Sequence, residues 1–107
     1  MIYADFLTDS DGRLTGFRIA GHSDYSEFGS DIVCEAVSSA MYMTVNTITD
    51  VVGVQPLSLR VDEGEAFFRI ETKDETLCRT TLAGFKLHLL GLEEQYPQNI
   101  SVSYLEV

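Results

Sequence analysis

Cations are scarce in this sequence: 7 Lys and Arg stand against 17 Asp and Glu among 107 residues, a formal net charge of −10 at pH 7. A nucleic-acid binder needs a basic face to displace the counterions that surround phosphates. That partner class is excluded on composition, and an anionic membrane surface is repelled for the same reason. The acidity instead favours a cationic partner such as a basic peptide or protein tail. Cysteine is sparse too. Cys34 and Cys78 stand far apart, outside any C-x-x-C pair, and two are too few for a disulfide scaffold. No apolar run approaches the roughly 18 residues of a membrane helix. The opening Met1-Ile2-Tyr3-Ala4-Asp5 lacks a basic segment and meets an acid at once, unlike a signal peptide. The expectation is a reducing cytoplasm. Repeats, linkers and low-complexity tracts are absent.

What is present is the composition of a packed fold, with 45% hydrophobic residues and 2 prolines. A chain of this length buries one core, so residues 1–107 are expected to form a single domain. Ile2–Thr8 and Leu14–Ala20 flank Asp9-Ser10-Asp11-Gly12-Arg13 as a β-hairpin. After an irregular stretch from Gly21 to Ser30, Ser30 or Asp31 caps a long helix. Val33, Val37, Ala40, Met41, Thr44, Ile48 and Val51 recur in it at helical spacing until Gly53 ends it. Gln55–Val61 and Ala66–Glu71 read as a second hairpin around Asp62-Glu63-Gly64-Glu65. Thr72 and Glu75 have capping-box spacing at the start of a second helix, whose buried side is Cys78, Leu82, Phe85, Leu89 and Leu92. Pro97 stops it, and Ile100–Glu106 alternates as a closing strand. The order ββαββαβ implies an α+β fold, a five-stranded sheet with two helices packed on it.

The reactive groups are few: His22, His88, Cys34, Cys78 and the surplus carboxylates. With its cap at Ser30 or Asp31, the helix carries Cys34 within its first turn, where free N–H groups and the helix dipole stabilise a thiolate. His22 leaves the second strand and is joined to that helix start by the loop, so its imidazole can fold back as the base of a Cys–His pair. The same helix start offers N–H groups to an oxyanion. The plainer reading makes Cys34 a small buried hydrophobe and His22 a loop anchor. Cys78 lies on the core stripe and is assigned to packing, and His88 to the edge of that stripe. No recognisable ligand spacing for a metal appears, and no cofactor is implied.

The segment Gly21-His22, followed by Gly29-Ser30-Asp31-Ile32-Val33-Cys34-Glu35-Ala36-Val37-Ser38, resembles the ribosomal-processing cysteine protease family Prp. The resemblance extends over the whole chain. It implies a cytoplasmic cysteine endopeptidase, a homodimer without cofactor, that removes the N-terminal extension of the precursor of large-subunit ribosomal protein twenty-seven. Carried over by position, Cys34 matches the nucleophile and His22 the general base, while Gly21, Gly29, Asp31 and Ser38 match the surrounding motif. Gly21 and Gly29 would let the loop bend and move, Asp31 would cap the helix or orient His22, and Ser38 would line the site one turn beyond Cys34. Ser23 and Glu35 stand where the family usually has small residues. A carboxylate beside the nucleophile disfavours the thiolate, but neighbouring helix positions diverge by about 100°. The competing function is a noncatalytic binding or assembly factor for a basic protein tail.

Overall fold

The computed structural model describes residues 1–21, 28–62 and 64–107, with 28–31 described as backbone only. The expected ββαββαβ order is present: β1 (Ile2–Thr8), β2 (Leu14–Ala20), α1 (Phe28–Asn46), β3 (Ser58–Asp62), β4 (Glu65–Arg69), α2 (Glu75–Gln95) and β5 (Ile100–Glu106). The five strands form one sheet in the order β3-β4-β2-β1-β5. Both hairpins and the β2–β4 pair are antiparallel, and β5 runs parallel to β1.

Alternation along the strands sorts the two faces of the sheet. Phe6 of β1 stands opposite Phe17 of β2, and Phe17 opposite Phe68 of β4. The three rings are fully buried. Phe85 of α2 meets Phe17 edge-on at 4.8 Å between centroids and Phe6 at 5.6 Å, the edge-to-face geometry that aromatic quadrupoles favour. Val33, Val37 and Met41 of α1 join Cys78, Leu82, Phe85 and Leu89 of α2 in the same core, so both helices bury their apolar stripes there. The opposite side chains carry charge: Arg18 reaches Asp5 at 3.3 Å and Glu65 at 3.4 Å, and Asp5 accepts the Ser103 hydroxyl at 2.5 Å. This polar line crosses β4, β2, β1 and β5 on the face away from Phe6 and Phe85.

Four local expectations are corrected. α1 begins at Phe28, so Ser30 and Asp31 lie inside its first turn and neither is its cap. Its continuation is a widened π-type turn, Thr47–Val52, in which the Gly53 and Val54 N–H groups both donate to the Ile48 carbonyl, at 3.0 and 2.9 Å. The extra residue in that turn shifts the helical phase, and Val51, expected on the buried stripe, is 79% exposed. Gly53 ends the element with φ +84, as its left-handed position requires. The Thr72/Glu75 capping box does not form. A 3-10 turn spans Thr72–Asp74, and Glu75 gives its carboxylate to Arg79 one turn further on. Finally, β3 starts at Ser58 rather than Gln55, beyond Pro56, which has no N–H for a ladder.

Candidate active site

β2 ends where Gly21 begins the irregular stretch, and the backbone there admits no other residue. Its φ is +109, and a Cβ would stand 2.3 Å from the Met1 carbonyl oxygen and 3.3 Å from the Ile2 Cα. Both the left-handed backbone and the missing space demand glycine. The Gly21 N–H donates to the Gly64 carbonyl at 3.0 Å. Gly64 forms the β3–β4 turn with φ +84. The other half of the Gly-His pair, His22, lies outside the described residues, as do Ser23 and Glu27.

Cys34 is half-buried on α1, packed against the core beside fully buried Val33. Because the helix starts at Phe28, Cys34 is its seventh residue, in the second turn. Its amide is past the first four unpaired N–H groups, and the dipole effect fades within the first turn. The expectation that a helix terminus activates this thiol, and supplies its oxyanion donors, is therefore corrected. Gly29 and Asp31 are helical residues of the first turn, so Gly29 is not a joint of the preceding loop. Ser38, also half-buried, follows Cys34 by four residues and so shares its face. Glu35 is exposed.

Cys78 provides the contrast. It is fully buried, and burial pushes its thiol pKa above the ordinary 9.0, with the neighbouring Asp74 and Glu75 charges adding to the shift. Such a thiol stays protonated and unreactive. His88 does not edge the core as expected. It is exposed and lines a crevice between the helices with Ala36, Ala40, Met43 and Gly84. Ala36 follows Cys34 by two positions, about 200° around α1, so this crevice opens on the side of the helix away from the thiol. Among the described residues no three His, Cys, Asp or Glu side chains are grouped to hold a metal ion. The fold also brings Gly64, placed by the sequence only in the Asp62-Glu63-Gly64-Glu65 turn, against Gly21.

Known proteins resemble this chain over nearly all of its length. The ribosomal processing cysteine protease Prp of Staphylococcus aureus strain Mu50 is 29% identical over 106 residues, 97% of this chain and 99% of the relative. The Prp of Bacillus subtilis strain 168 is 26% identical over 109 residues, 96% of each chain. The crystal structure of an essential ribosomal processing protease Prp from S. aureus with a substrate peptide superposes with a TM-score of 0.88 at 27% identity, covering 98% of this chain and 100% of the other. A second S. aureus Prp structure, with a covalently linked product peptide, gives 0.85 at 28% identity over the same shares. The family model for cysteine protease Prp matches residues 1–101, and the chain belongs to that family.

Proposed function

We propose that this cysteine protease removes the N-terminal extension of large-subunit ribosomal protein twenty-seven, with Cys34 as nucleophile and His22 as general base. The observation that carries the reading is the placement of the two cysteines. Cys78 is sealed in the core with its thiol held protonated, whereas Cys34 is half-buried within the family's motif, four residues before Ser38. The Gly21 clamp supports it, because it fixes the backbone immediately before His22.

In this mechanism His22 takes the Cys34 proton and the thiolate sulfur attacks the scissile carbonyl carbon. As the tetrahedral intermediate collapses, the C–N bond breaks and the imidazolium gives its proton to the leaving amine, leaving a thioester on Cys34. A water, deprotonated by His22, then attacks the thioester carbonyl, and the acid product departs as the thiol is restored. Ser38 lines the site beside the thiol, Asp31 orients His22, Gly21 holds the backbone where β2 ends, and Gly29 belongs to the motif from within the first turn of α1. The enzyme acts as a homodimer in the cytoplasm, needs no cofactor, and engages no nucleic acid or membrane. Its net charge of −10 suits a basic ribosomal protein as substrate.

The test is incubation of the purified protein with the precursor ribosomal protein, with product masses read by mass spectrometry. One cleavage at the extension is expected, with kcat/KM lost by at least about 10³-fold in Cys34→Ala and His22→Ala, the scale of removing a member of such a catalytic pair. Wild-type rates in either variant would overturn the assignment.

A further inference from the structure

Gly64, in the turn between β3 and β4, belongs to no part of the mechanism above, yet it is tied to the residue before the general base. We infer that Gly64 is a positioning residue for His22, acting through the Gly21 backbone. The inference rests on the reading of His22 as the base.

Three observations converge on Gly21. Its N–H donates to the Gly64 carbonyl at 3.0 Å. This bond extends the β2–β4 ladder one residue past the Ala20–Glu65 pair, into the turn itself. On its other side Gly21 presses against the Met1 carbonyl, so closely that a Cβ would overlap it at 2.3 Å. β1, in turn, is held there by the Ile2 N–H, which donates to the Asn99 carbonyl at 2.8 Å. The last backbone unit before His22 is thus gripped between a turn on one side and a strand start on the other. The direction of the Gly64 carbonyl depends on that residue's φ of +84, a region that side chains with a Cβ resist. A general base works only within hydrogen-bond reach of its proton, so a rotation of the Gly64 peptide that loosens Gly21 degrades catalysis without touching a reacting atom.

Gly12 supplies a matched control. It sits at φ +79 in the β1–β2 turn, at the far end of β2 from Gly21, and a Cβ there meets nothing within 4 Å. Gly12→Ala therefore imposes similar backbone strain with no link to His22. The experiment compares Gly64→Ala, Gly64→Asn and Gly12→Ala in thermal unfolding, steady-state cleavage of the precursor peptide, and the pH dependence of Cys34 alkylation by iodoacetamide. The expected result is a similar fall in Tm for both alanine variants. In Gly64→Ala alone, kcat falls about tenfold or more, KM holds within about twofold, and the pH profile of Cys34 alkylation moves towards that of an isolated thiol. Gly64→Asn restores most of the rate, because asparagine tolerates the left-handed region. Should Gly64→Ala not fold, Gly64→Asn and Gly64→Ser carry the test, with kcat ranked Gly, Asn, Ser. Equal kcat in the Gly64 and Gly12 variants, or an alkylation profile unmoved by the Gly64 changes, would overturn the inference. Wild-type activity in His22→Ala would instead refute the reading beneath it.

Discussion

Arg79 grips Glu75 through three hydrogen bonds: its Nε meets the two carboxylate oxygens at 3.1 and 3.0 Å, and its Nη2 meets Oε1 at 2.8 Å. The Glu75 side chain is 3% exposed at the first residue of α2, while that of Arg79 is 61% exposed. A buried charge keeps its place only when paired. Arg79→Ala is therefore expected to lower Tm by several degrees. Replacing both residues by methionine, which removes charge and partner together, should recover most of that loss. Thermal unfolding by circular dichroism checks it, and an Arg79→Ala Tm equal to wild type would show that water reaches Glu75.

The two thiols should separate cleanly. Iodoacetamide at pH 8 is expected to modify Cys34 well before Cys78, as peptide mapping of the native protein will show; equal rates would contradict the burial of Cys78. Because burial raises the Cys78 pKa above 9.0, the folded state holds the proton more tightly than the unfolded chain. Its contribution to stability is intact below pH 9.0 and is lost as pH rises through the higher folded value. Denaturant midpoints at pH 8 and 10 should consequently fall further for wild type than for Cys78→Ala.

Phe85 joins the α2 stripe to β1 and β2 through its contacts with Phe6 and Phe17, and is 3% exposed. Phe85→Ala should cost about 3–5 kcal/mol, the usual range for a buried phenylalanine. A Tm drop under about 5 °C would mean that the core repacks around the gap.

Much of the fold was legible because hydrophobic period and turn chemistry agreed. β1, β2 and β5 have the boundaries their alternation implied, and α2 buries all five residues of its stripe. What was hidden depended on tertiary contacts. The π-type turn is set by two amides that share the Ile48 carbonyl, and no local pattern encodes such sharing. Thr72 and Glu75 had capping-box spacing, but Arg79 lay one turn away and offered a charge-assisted alternative. At the candidate site, Cys34 and Ser38 were readable as one helix face. The demand for glycine at Gly21 was readable only as a motif, since its physical cause is a carbonyl twenty residues earlier, at Met1.

Cleavage should depend on salt. With a net charge of −10, the chain would attract the basic ribosomal protein proposed as its substrate over a distance that shrinks as the Debye length falls from about 10 Å at 0.1 M to about 3 Å at 1 M. kcat/KM is expected to fall several-fold across that range while kcat changes little. A salt-independent kcat/KM would leave the charge without a part in capture.

The parallel pairing of β5 with β1 runs from Ile2 opposite Ile100 to Thr8 opposite Glu106 and leaves β1 between β2 and β5. As the polypeptide emerges during synthesis, β1 can bond to β2 at once, but its other edge stays open until β5 has been made. That contact joins Ile2 to Ile100, the kind of long-range pairing that slows folding. The unpaired edge is also open to other strands while it waits. The sheet is thus completed only when β5 has followed β1 by nearly a hundred residues, and a nascent chain is exposed to mispairing along β1 until then.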